Sequence, residues 1–150
     1  MPHKRPTNAQ AQLHLQLYDL RREARLRQAR DWFVQNYFPA VPEDMLRVAP
    51  PGSPENASMR MVLSYWDQAC VLLEHGLLHR DLLFETTDEF YIVWDRVRRF
   101  VPGIRAYLKN PRLFEALEKY AQAYEIWAER RAPGYVAAML QAMRPASPAA

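Results

Sequence analysis

Three observations predict an all-α protein. Ala, Leu, Glu, Gln and Arg dominate a chain of 150 residues that holds only four glycines, which favours helix over sheet. Apolar residues recur at helical spacing along most of the chain, and no segment alternates with the two-residue period of a strand. Proline-containing breaks divide the pattern into helix-length pieces. The expected architecture is a four-helix, mainly antiparallel bundle in one domain. It has a long N-terminal helix, a proline-rich linker and a short C-terminal helix.

The first helix is expected over 8–38. Thr7 and Gln10 have capping-box spacing, and Leu13, Leu17, Leu20 and Ala24 share one face. Leu26, Ala29, Phe33 and Tyr37 carry on a stripe that has rotated, as in a long helix with different partners at its two ends. Residues 39–54 hold five prolines and read as a linker and hinge. Ser53 and Pro54 then open a helix over 55–75, so apolar round its girth that it belongs at the centre. Gly76 ends it in the left-handed conformation. Thr86, paired with Glu89, is expected to cap a helix over 87–108 that Pro102-Gly103 kinks or breaks. Asn110 and Pro111 restart the chain as a helix over 111–131. A short piece follows over 134–143, and 144–150 is expected to be a disordered tail.

Composition excludes several classes. Cys70 stands alone, so no intrachain disulfide forms, and its apolar neighbours suit a reduced, buried thiol. The N-terminus lacks the apolar core of a secretory signal, and no run of about 18 apolar residues offers a membrane span. A cytoplasmic location is the resulting expectation. The net charge of +3 is mild and demands no acidic partner.

Residues 75–90 read "HGLLHRDLLFETTDEF", and His79-Arg80-Asp81-Leu82 spells the opening of a kinase catalytic loop. Thr86 stands where that loop needs its metal-binding asparagine, and no Asp-Phe-Gly or glycine-rich loop accompanies it. The stretch therefore reads as a structural turn built on Gly76, Asp81, Thr86 and Glu89. His75 and His79 have the four-residue spacing of helical metal ligands, but Gly76 spoils the helix between them and no third ligand follows. No Ser-His-Asp or Cys-His constellation is present. An enzyme is not expected, nor a cofactor or a metal.

Two further candidates stand beside their structural alternatives. Arg21, Arg22, Arg25, Arg27 and Arg30 form a candidate basic surface for nucleic acid. At about 100° per residue they scatter round the helix, and Asp19, Glu23 and Asp31 lie at ion-pair spacing from them. Tyr65, Trp66, Tyr91 and Trp94 form a candidate aromatic pocket between helices, against the commoner fate of such residues as core.

"LYDLRREARLRQARDWFVQNYF" (17–38), "MRMVLSYWDQACVLLEHGLLHRDLLF" (59–84) and "YIVWDRVRRFVPGIR" (91–105) together resemble a bacterial domain-of-unknown-function family, number forty-seven sixty. The resemblance spans about residues 13–130. It implies a compact helical domain and transfers no catalytic residues. Some members of that family carry a membrane helix before the domain; the resemblance is not expected to carry membrane attachment over to this chain. The favoured expectation is a non-enzymatic helical protein–protein interaction module that self-associates through the first helix. Nucleic-acid binding through the arginine-rich helices and a small-molecule site between aromatic-bearing helices are the alternatives.

Overall fold

A capping box starts the first helix, α1 (Asn8–Arg21): the Thr7 hydroxyl accepts from the Gln10 N–H, and the Gln10 side chain accepts from the Thr7 N–H. The computed structural model describes residues 4–145. Within them every regular element is helical, which bears out the all-α class. The expected single helix over 8–38 is corrected to two. Glu23 adopts an extended backbone, and its carboxylate caps α2 (Ala24–Asn36) by accepting from the Leu26 N–H at 3.0 Å. The rotation of the apolar stripe marks this break. Leu26, Ala29, Phe33 and Tyr37 are buried on the second axis, whereas α1 buries Leu17 and leaves Leu20 exposed.

The linker over 39–54 is also corrected, because it contains a short helix, α3 (Pro42–Val48). Pro42 sits at the start, where its missing N–H costs nothing, and Asp44 accepts from the Ala40 and Val41 N–H groups. α4 (Pro54–Glu74) begins as expected on Ser53, whose hydroxyl accepts from Asn56. It buries Val62, Leu63, Tyr65, Trp66, Ala69, Cys70 and Leu73. Gly76 has φ +69 and releases the chain after it.

The stretch from 79 to 108 differs most from expectation. Thr86 does not cap the next helix; it closes α5 (Arg80–Thr86), with its hydroxyl donating to the Leu82 carbonyl at 2.6 Å. Thr87 instead accepts from the Glu89 N–H just ahead of α6 (Glu89–Val97), whose N-cap position falls to Asp88. Asp81 lies in the first turn of α5, beside Arg80. The break attributed to Pro102-Gly103 falls just ahead of them, because Pro102 is accommodated in the first turn of α7 (Val101–Tyr107). The helix expected from 111 starts later, as α8 (Glu115–Arg131). Asn110 accepts from the Arg112 N–H in a turn, and Phe114 enters α8 with φ +57. Pro133-Gly134 separates α8 from α9 (Tyr135–Ala142). The expected disordered tail lies, from residue 146 on, outside the described residues.

α4 is central. It packs on α2, α6 and α8, while α8 also meets α6 and α9. α1 touches only α2 and α5 among its stronger contacts.

One polar node ties these pieces together. Arg30 forks onto Glu89, with Nε–Oε1 at 2.7 Å and Nη2–Oε2 at 2.5 Å. It also donates to the Arg21 carbonyl at the end of α1. Glu89 Oε1 accepts in addition from the indole N–H of Trp66 at 3.1 Å. Four helices thus meet at one carboxylate and one guanidinium. Both side chains are less than one-fifth exposed, so screening by solvent is limited. Glu89→Gln is expected to lower unfolding free energy by about 2–3 kcal/mol, read from the denaturant midpoint at unchanged slope. Lys109 occupies the left-handed region with φ +52, so Lys109→Gly should raise stability by about 0.5–1 kcal/mol in the same assay.

Candidate functional site

The four aromatic residues singled out in the sequence do not enclose a pocket. Tyr65 and Trp66 pack edge to face at 4.9 Å, near the α1 side of the core. The Tyr65 hydroxyl donates to the Leu17 carbonyl at 2.5 Å, and Trp66 is held by Glu89. Burial pushes the Tyr65 phenol up to about 12. Tyr91 faces the other way, its ring 5.6 Å from Tyr124 of α8. Trp94 is buried in the core one turn along α6. The space beside Tyr65 and Trp66 amounts to about 20 Å3, room for at most a water. These side chains hold helices together.

The candidate basic surface is likewise divided. Arg30 belongs to the Glu89 node. Arg21 donates to the Thr87 hydroxyl at 3.2 Å and lies over the rings of Tyr18 and Trp66. Arg22, Arg25 and Arg27 remain exposed. Asp95 and Arg98 do form the ion pair their spacing suggests, at 3.4 Å. Of the turn residues, Gly76 and Glu89 carry the most. The Gly76 carbonyl accepts from the Gln10 side chain, which pins the start of α1.

Three open grooves stand out on the surface of the described residues. One of about 450 Å3 lies against Phe84, Tyr124, Trp127 and Tyr135, with Arg131 stacked on Trp127 at 4.6 Å and reaching Glu85 at 3.7 Å. Tyr135 donates to Asp88 at its edge, at 2.8 Å. A second, of about 350 Å3, runs between α2 and α4 beside Trp32 and Met61. The third, of about 310 Å3, lies between α6, α9 and residues 38–40. Sequence reasoning missed all three. Phe84, Trp127 and Tyr135 come from three helices whose relative placement no local pattern encodes. Among the described residues, no group of three His, Cys, Asp or Glu side chains is placed to hold a metal, and no helix is long and apolar enough to cross a membrane.

The family model for Domain of unknown function (DUF4760) matches residues 6–124, most of the chain. The chain belongs to this family. The match takes in α1 to α7 and most of α8 of the DUF4760 chain, and so includes the Arg30–Glu89 node. No curated protein and no solved structure matches it.

α1 is held by polar latches more than by buried area. Tyr65→Phe removes one of them, the second donor to the Leu17 carbonyl, at a cost of about 1 kcal/mol. Hydrogen exchange should quicken in α1 at amides that in the wild type outlast those of the exposed turns, with α4 and α8 less affected.

Proposed function

We propose that this DUF4760 chain is a non-enzymatic helical interaction module that pairs with a second copy of itself through α1. In this reading α2, α4, α6 and α8 form a mainly antiparallel bundle that serves as a rigid platform. The observation that carries it is the exposure of α1: Leu15 is 64% and Tyr18 47% exposed, while Leu17 alone is fully buried. At about 100° per residue, Leu15 and Tyr18 lie roughly 160° and 100° round from Leu17, in line with Ala11 and Arg22.

The spacing of Ala11, Leu15, Tyr18 and Arg22 is four, three, four, the interval of a coiled-coil seam. It reads the same from either end. A second α1 laid antiparallel therefore sets Leu15 of one copy against Tyr18 of the other, as a two-fold interface requires. A helix of 14 residues is about 21 Å long, so the contact is small and the dimer is weak.

Other readings have less to stand on. The kinase-like tripeptide starts a short helix, where Arg80 pairs with Asp81. Nucleic-acid binding would rest on Arg22, Arg25 and Arg27, since Thr87 and Glu89 engage Arg21 and Arg30.

Light scattering across micromolar to submillimolar concentrations tests the proposal. The mass should climb from 17.6 kDa toward twice that value, and Leu15→Glu with Tyr18→Glu should hold it at the monomer with an unchanged helical spectrum. A wild type that stays monomeric throughout, or a double variant that dimerises equally well, overturns it.

A further inference from the structure

The groove between α6, α9 and residues 38–40 gathers more positive charge than its surroundings neutralise. Arg96, Arg99 and Arg144 line it, together with Asp95. Arg96 donates through Nη1 to the Phe33 and Tyr37 carbonyls at the end of α2, and its guanidinium lies 3.9 Å from the centre of the Phe38 ring. Its Nη2 is buried with no hydrogen-bond partner. Desolvation by burial lowers its pKa to about 10, a sign that little nearby negative charge offsets it. Arg99 makes one long bond, Nη2 to the Pro39 carbonyl at 3.4 Å, and Arg144 makes no side-chain bond among the described residues.

Magnitudes decide the sign. Asp95 contributes one negative charge and is shared with Arg98 at 3.4 Å. The C-terminal ends of α2 and α9 contribute about half a charge each. Against these roughly two negative charges stand the three arginines of the groove and Arg98 beside Asp95, so the groove keeps a surplus of about two positive charges. Its other walls are apolar: Phe38, Ile92, Leu140 and Met143. At about 310 Å3 it sits at the small end of the range for ligand pockets.

We propose that this groove binds a small amphipathic carboxylate, its head between Arg99 and Arg144 and its apolar body along Ile92, Leu140 and Phe38. An arginine fork matches a carboxylate in geometry, and the apolar walls favour a ligand with a body over a bare inorganic anion. The site is independent of α1 and of self-association.

Octanoate is the probe, titrated into the full chain by calorimetry and followed by amide NMR, with acetate as the head-only control and octanol as the body-only control. Octanoate should bind at least about tenfold tighter than either control. Arg144→Glu and Leu140→Trp, both at the rim and remote from the central helix, should each weaken it about tenfold or more while the helical spectrum stays unchanged. Chemical shift changes should centre on Ile92, Arg99 and Leu140. Equal binding of octanol and octanoate, shift changes elsewhere on the molecule, or variants that bind like the wild type would each overturn the proposal.

Discussion

The fork of Arg30 onto Glu89 is the interaction on which the arrangement of helices depends. An amphipathic helix can slide or rotate on a greasy neighbour at small cost, because apolar contact has no direction. A bidentate ion pair with one more donor on the same carboxylate has both direction and length. It fixes α2 and α4 against the first turn of α6, and through the Arg21 carbonyl it also fixes the end of α1. The core around Phe33, Trp66, Phe90 and Val93 supplies most of the cohesion. The node supplies the register.

The same economy appears at other joints. Arg96 closes the end of α2, and Asp67 accepts from the Leu117 N–H in the first turn of α8. Arg105 bonds the Leu113 carbonyl just before the left-handed Phe114 and reaches Glu118 at 2.8 Å. A chain cut into short helices has many unsatisfied ends, and arginine reaches them from neighbouring elements. Arg30, Arg96, Arg99 and Arg105 are used in this way, so part of the arginine that in the sequence invites thoughts of nucleic acid serves the fold instead.

Legibility in the sequence followed the range of the physics. Capping at Thr7 and Ser53, the left-handed Gly76 and the central place of α4 all depend on residues within a few positions of each other, and all were readable. The break at Glu23 was half-readable: the stripe turned, but an acidic residue capping the next helix looks like an ion-pair partner for Arg27. Thr86 is still the last helical residue of α5, so the hydroxyl that meets the Glu89 N–H is that of the extended Thr87. The charged groove was out of reach, because its arginines come from α6 and from beyond α9 and meet only through tertiary packing.

Cys70 adds a consequence of a different kind. It lies on the most enclosed helix with no exposed surface, and burial together with the Asp67 charge pushes its thiol pKa up. The thiolate form that reacts is therefore doubly suppressed while α4 stays seated. Since α4 touches α2, α6 and α8 at once, the sulfur is uncovered only when packing around this helix opens. The molecule thus carries a natural reporter: the pace at which a thiol reagent consumes it tracks the opening of the core around α4.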